Sequence, residues 1–399
     1  MTSTSAAMTA STFQLFLIAV LAATLIEELT IDRWQLGLLG AVNTGVGAVV
    51  APRLGVVADR LGPKRSMIGV FVTSGIGLLA TAAAPGFAWL VAASAISGVP
   101  QGAGNPVTNK LIAEQVPQSQ QNSVMGVKQS GVQFAVFLAG ITMPTAAASF
   151  GWRWAVTASA GVAFVFAVLM LVRPDGDVVA VAADDPDDSG AVGAGEDVAA
   201  DDRVSTRGFV NQVAIYAFLM GLCAGGVTRF YPLFANEVLG YSETVAGWAV
   251  AIAGLAAIGG RLWWAQLVKG RFAFRPALVI MALGSAVSLA LLYVAEADLR
   301  WLLWPAVLGL ALTVSAWNVV AMLAVIRSVP RRHAGSATGV VLMGFLGGLT
   351  VAAPLVGYSI DVFGSYRPAW VLLGLLALAA AVAVRDRSSV RTRRSATPA

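Results

Sequence analysis

The chain has 399 residues, of which 57% are apolar and 12% charged, and carries a net charge of +5. A soluble domain is about 45–50% apolar and about 25% charged, so these proportions exclude a single water-soluble core. The mean hydropathy of +0.77 points instead to helices in lipid, where only helices and closed barrels satisfy the backbone, and the long unalternating apolar runs exclude the barrel.

In chain order the spacing predicts spans over 5–27, 34–57, 66–84, 87–111, 123–148 and 152–172. The first is read as a transmembrane helix and not a signal peptide, because no Lys or Arg precedes residues 13–26 and no cleavage site follows. Residues 173–207 hold ten of the chain's twenty-one acids, with Ala, Gly and Val as filler. They have too little to bury and are expected to form a disordered acidic linker. Six further spans follow over 209–233, 243–267, 276–295, 302–326, 335–360 and 366–384, then a basic tail. The expected division is a six-helix bundle over 1–172, a cytoplasmic linker over 173–208, a second bundle over 209–384 and a cytoplasmic tail over 385–399.

The halves repeat. Glu27-x-Leu29 with Gly37 matches Glu237-x-Leu239 with Gly247 at an offset of 210. Val116-Pro117, Ser123 and Gly126 match Val329-Pro330, Ser336 and Gly339 at 213, and Phe150-Gly151 matches Phe363-Gly364 at the same offset. Repeated halves place a site at their interface near the bilayer midplane. The offset also sets the counterpart of Phe209 near residue 1, so either the N-terminal tail is very short or the true start lies upstream.

Lys and Arg fix the orientation. With the segment after the second span inside, the inner side collects 19 basic residues, among them Arg53, Arg60, Arg261 and Arg275, against 4 outside. Lys110, Lys128 and Arg229 are set aside as lying within helices. The positive-inside rule then puts both termini in the cytoplasm of a multi-pass plasma-membrane protein. The pI near 9.6 is this topology signal, and no nucleic-acid partner is expected. The single Cys223 excludes an internal disulfide.

Between spans two and three stands Gly55-Val-Val-Ala-Asp59-Arg60-Leu-Gly62-Pro-Lys64-Arg65. This loop, with twelve spans in two repeats, resembles the major facilitator superfamily, whose signature reads Gly-x-x-x-Asp-Arg-x-Gly-x-Lys/Arg-Lys/Arg. The resemblance implies an all-α integral membrane fold of two six-helix bundles that rock around a central site. It implies a conformational clasp in which Gly55 lets span two approach span eleven near residues 334–338, and Asp59 meets that helix's positive N-terminus. Arg60, Gly62, Lys64 and Arg65 complete the clasp, with Glu114 as a candidate partner of Arg60 or Lys64. Pro63 replaces a familiar Arg. Gly98 stands three residues before Gln101-Gly102 where the family often has Arg, so the proton-coupling role ascribed to that Arg does not carry over.

Polar groups inside spans are costly and mark cavities or interhelical bonds. The candidates for solute contact are Asn43, Gln101, Asn105, Gln129, Gln133, Tyr216, Trp317 and Asn318, with two cations, Lys128 and Arg229. Lys128 reaches either the cavity or, by snorkelling, the inner surface. Arg229 follows Gly225-Gly226 and precedes Phe230-Tyr231-Pro232, which reads as a locally broken helix. No carboxylate falls near mid-depth, which disfavours a cation carrier. No nucleophile–base pair, metal-ligand cluster or phosphate loop is present, so neither an enzyme nor a cofactor is expected. The leading reading is a monomeric secondary transporter of a small, anionic organic solute, with a coupling proton or ion left open. Multidrug or metabolite efflux, and a non-transporting membrane sensor or scaffold, remain the alternatives.

Overall fold

A computed structural model describes residues 3–117, 121–172, 200–270, 273–297, 299–329 and 331–385. Among them every regular element is helical, and the chain makes twelve passes. The first pass is α1 (Ser3–Val20) and α2 (Ala22–Leu29), interrupted at Leu21. The next five are α3 (Arg33–Leu61), α4 (Pro63–Ala82), α5 (Phe87–Gln115), α6 (Gln121–Phe150) and α7 (Trp152–Val172). The second half contributes α8 (Ala200–Glu237), α9 (Glu243–Gly270) and α10 (Phe274–Ala295). Its tenth pass is split into a 3-10 turn (Arg300–Leu302), α11 (Leu303–Thr313) and α12 (Trp317–Ser328); α13 (Arg331–Phe363) and α14 (Arg367–Val384) complete it. Eleven of the passes are long and apolar enough to cross a membrane among the described residues. The other helix, α5, carries Gln101, Asn105, Asn109, Lys110 and Glu114 in its second half.

Local chemistry sets the turns. Asp32 and Gln35 form a capping box at the start of α3, Gln35 accepting from the Asp32 N–H at 2.8 Å. Gly62 closes α3 at φ +79, a conformation that favours glycine, and Pro63 opens α4. The repeat is visible in the backbone: Gly151 and Gly364, one half apart, both take positive φ at the turns into α7 and α14.

Two boundaries differ from expectation. The backbone of α8 is already helical from Ala200, nine residues before the predicted span, and residues 173–199 of the expected linker lie outside the described residues. The break predicted beside Arg229 is absent, because α8 runs unbroken through Gly225, Gly226 and Pro232. Those glycines serve packing instead. A Cβ at Gly225 would meet the Leu349 carbonyl oxygen at 2.7 Å, and one at Gly226 the Val356 side chain at 2.9 Å. The α13 helix therefore lies directly against α8.

The halves meet along two seams of small residues. On α3, a Cβ at Gly37 would meet the backbone of Ala353 and Pro354 on α13, the latter at 2.7 Å. On α6, a Cβ at Gly140 would meet Gly247 O at 2.5 Å and Ala251 N at 2.6 Å on α9. Such approach is what small residues permit between membrane helices. A polar network covers this end. Arg33 grips both oxygens of Glu237, at 2.9 and 3.1 Å, and reaches Asp361 at 3.4 Å. Asp361 also accepts from the Trp34 N–H at 2.9 Å, and the Tyr366 hydroxyl donates to Glu237 at 2.5 Å. Burial first, then the Glu237 carboxylate, push the Tyr366 phenol above its ordinary value, so it stays a donor. Glu243 of α9 takes the Thr24 amide at 2.9 Å and its hydroxyl at 2.7 Å. That amide lies in the first turn of α2, freed by the interruption at Leu21.

Arg33→Ala should loosen this closed end. Each half-exposed ion pair contributes about 0.2–1 kcal/mol, so losing two shifts the equilibrium roughly 2- to 30-fold. The readout is thiol labelling of Ala353→Cys, against the fully buried Cys223 as a silent background. Labelling at the parental rate would show that the glycine seams alone hold the end shut.

Candidate functional site

From the closed end the halves diverge. Gly55 lies five turns from Gly37 on the same face of α3, about 27 Å along the helix, yet the near neighbour of a Cβ there is Pro106 of its own half, at 3.8 Å. Gly339 lies on the same face of α13 as Ala353, and among the described residues nothing stands within 4 Å of its Cβ position. A cleft between the halves therefore opens toward the Gly62 end.

Arg229 of α8 sits where the cleft ends against the closed seams. It is 5% exposed. Its Nη1 donates to the Leu15 carbonyl of α1 at 2.7 Å, and its guanidinium lies over Gly40 of α3. No carboxylate pairs with it among the described residues. Unbroken α8 holds the side chain at one depth, and both its neighbours belong to the other half.

Lys128 of α6 does not snorkel. It is fully buried, and Nζ donates to Asn105 Oδ1 at 3.0 Å and to Asn109 Oδ1, both on α5. Asn105 and Asn109 stand one turn apart, so their amides converge on one ammonium. Lys128 faces α5, whereas Gln133, five residues further along α6 and so on another face, lies where that helix meets Gly254 of α9. Gln129 is exposed and lies at the cleft edge of the same face.

The neutral candidates divide. Asn43 donates to Gln14 Oε1 at 3.0 Å, and Gln14 donates on to Thr81 at 3.3 Å and Ser94 at 3.4 Å. This ties α1, α3, α4 and α5 together. Gln14 was not singled out from the sequence, although a glutamine inside the apolar run 13–26 is the signal. Asn43 Oδ1, Gln101 Oε1 and Asn318 Oδ1 are buried without a partner. An unpaired buried acceptor costs about 1–3 kcal/mol. Tyr216 and Trp317 are drawn into packing. The Tyr216 hydroxyl donates to the Leu278 carbonyl of α10 at 2.9 Å. Trp317 stands edge-on to Tyr216 at 5.6 Å and to Phe345 at 5.4 Å.

Besides the first pass, interrupted at Leu21, the tenth is broken. At residues 314–316 the helix gives way between α11 and α12, and α9 fills the gap: Arg261 Nε donates to the Ser315 carbonyl at 3.0 Å and Trp264 Nε1 to the Leu312 carbonyl at 2.8 Å. Arg261, counted from sequence as an inner-side topology charge, is a half-buried residue of the span. It lies on the same face of α9 as Gly254 and Gly247, two and four turns back, and so borders the cleft.

Gly55 has no α13 neighbour among the described residues, Arg60 and Arg65 are exposed, and the Asp59 side chain lies outside the described residues. Glu114 pairs with Lys110, one turn earlier, at 3.5 Å, and not with Arg60 or Lys64 as expected; the i,i+4 spacing on one helix makes Lys110 the nearer cation. A separate hollow of about 890 Å³ opens sideways between α1, α6 and α7. Its lining, with Phe134, Leu138, Trp154 and Val162, carries no charge, and it suits lipid rather than a polar solute.

The sequence matches the model of the Major Facilitator Superfamily over residues 3–344. Similar curated proteins include a Synaptic vesicle 2-related protein of Rattus norvegicus, 32% identical over 43% of this chain and 31% of that protein. A Hexuronate transporter of Bacillus subtilis (strain 168) is 28% identical over 36% of this chain and 34% of that one. The matched stretch thus spans about a third of each of these relatives. Among solved structures, a bacterial homolog of the human lysosomal transporter Spinster, inward-facing and occupied, superposes with a TM-score of 0.76 at 15% identity, covering 96% of this chain and 94% of that one. A D-xylose-proton symporter gives 0.72 at 16%, covering 96% of each chain. At such identities the superpositions show the shared fold.

Lys128→Met should lower unfolding free energy by roughly 1–3 kcal/mol, because the two asparagine oxygens lose their common donor. Asn109→Leu added to it should cost less than Asn109→Leu alone, as groups sharing one interaction are not additive. Denaturant unfolding in detergent measures both, and full additivity would mean that the three side chains do not act together.

Proposed function

The chain belongs to the Major Facilitator Superfamily, a family of transporters and not enzymes, and from that premise we propose that it is a secondary transporter of a small organic anion. The observation that carries this reading is Arg229, a buried guanidinium that has one backbone partner and no carboxylate among the described residues. An uncompensated charge in a span is expensive, and an anionic solute arriving through the cleft repays that cost. Arginine can take a carboxylate through two parallel hydrogen bonds, which lysine cannot reproduce. The unpaired oxygens of Asn43, Gln101 and Asn318 add acceptors for hydroxyls. A carboxylate on a hydroxylated carbon skeleton satisfies both, and a hexuronate, the solute in the name of the Bacillus relative, is a compound of that type.

Alternating access follows from the two ends. The closed end, with Arg33, Glu237 and Asp361, faces the outside, and the cleft opens to the cytoplasm, where the Lys- and Arg-rich segments lie. Asp59 and its loop then close the opposite end once the Arg33 network parts, in a plasma membrane with both chain termini inside.

Thermal unfolding of the purified protein with D-glucuronate, compared with D-glucose, tests the charge preference, since a ligand of the folded state raises stability by mass action. Glucuronate should stabilise and glucose should not. Arg229→Lys should weaken the effect roughly ten- to a hundredfold, the scale of one charged hydrogen bond, and Arg229→Ala should abolish it. Stabilisation by glucose alone, or by cations alone, would replace the anionic reading with a neutral or cationic one.

Topology and linker have their own expectations. A reporter fused at Gly190 should be active only in the cytoplasm. Deletion of residues 178–200 should leave solute flux intact, as a carrier's bundles do the work; loss of flux without loss of folding would point to a scaffold.

A further inference from the structure

Arg229 reaches its position across the interface, and the residue beneath it is a glycine. An ideal Cβ built on Gly40 would have three nearest atoms, all of one guanidinium: Arg229 Nη2, Cζ at 2.6 Å and Nε at 2.7 Å. No real Cβ stands that close to another heavy atom. The planar head therefore rests over the bare Cα of Gly40 on α3, while Nη1 is held by the Leu15 carbonyl of α1 at 2.7 Å. One contact fixes the height of the head and the other its rotation. Gly40 also differs from the seam glycines nearby. Gly37, one turn away, makes room for backbone of the opposite half, whereas Gly40 makes room for a side chain.

We propose that Gly40 is a positioning residue for Arg229, and that its missing side chain is the seat that aims the guanidinium at the solute. The assignment to solute rests on the anionic reading above; the seat itself does not. The atoms in the way of a Cβ are the tip of a flexible side chain, so alanine at this position would displace the guanidinium and leave the helix backbone in place. Misplacing a recognition group by about 1 Å is enough to cost on the order of a hundredfold in a preorganised site. The same displacement breaks the bond to Leu15 and strands a buried cation, so it also lowers the stability of the ligand-free protein.

Four proteins decide it: the parent, Gly40→Ala, Arg229→Ala and the double variant, each unfolded thermally with and without D-glucuronate. Gly40→Ala should raise the glucuronate concentration needed for half-maximal stabilisation at least tenfold. Without ligand it should lower the melting temperature in the parental background and leave it unchanged in the Arg229→Ala background, where no guanidinium needs the seat. An equal melting-temperature loss in both backgrounds overturns the seat, and parental affinity in Gly40→Ala overturns the positioning role. If the parent itself is not stabilised by glucuronate, it is the anionic reading that falls, and the ligand-free comparison alone decides the seat.

Discussion

The two halves touch where backbone can reach backbone. Gly37 against Ala353–Pro354 and Gly140 against Gly247 bring four helices together at one end, and a methyl group at either glycine would hold them apart. In lipid, helices gain little from burying apolar side chains against one another, so such close contact supplies much of the association. Because the seams are confined to one end, the same helices diverge toward the other, and the cleft follows from where the small residues stand. Its blind end is the level of Gly40 and Leu15, where Arg229 crosses from the second half to the first.

Charge is distributed to match. The acids that face the interface, Glu237, Asp361 and Glu243, stand at the closed end and bind the halves together. Among the described residues, the cations deeper in the spans have no acid beside them. Arg229 has a carbonyl, Lys128 two asparagine oxygens and Arg261 the carbonyl exposed by a broken helix. Neutral oxygens orient a cation without cancelling its charge. Each head is therefore held still with its charge intact, which is the setting the proposed anionic solute would meet.

Much of this was legible before any coordinates. Twelve apolar runs and the repeat at 210–213 give the passes and their pairing, because a membrane helix announces itself by length and hydropathy alone. Arg229 and Lys128 stood out because a charge inside an apolar run is rare. What stayed hidden depends on contacts between distant segments or on groups that carry no side-chain signature. The partners of Arg229 are a carbonyl 214 positions away and one of 42 glycines. Gly225-Gly226 looks the same in sequence whether it breaks a helix or packs one, and here α13 uses it for packing. The actual break at 314–316 contains neither Gly nor Pro; it persists because Arg261 and Trp264 of a neighbouring helix take up its freed carbonyls. Glu114 was matched to the wrong cation because the loop's partners were sought across helices when the nearest lay one turn back.

The Arg33 network has a property the glycine seams lack. Its side chains are 22–33% exposed, so dissolved ions reach them. At 0.1–0.15 M salt the screening length is about 8–10 Å, and it shortens as salinity rises, weakening the ties that bear charge and sparing those made of backbone. The closed end thus has a component that responds to the medium and a component that does not. Since that medium is the compartment on one face of the membrane only, a change in ionic strength there biases the conformational equilibrium from one side. In the proposed alternating-access cycle, the ionic strength of that one compartment would set part of the balance between its two ends.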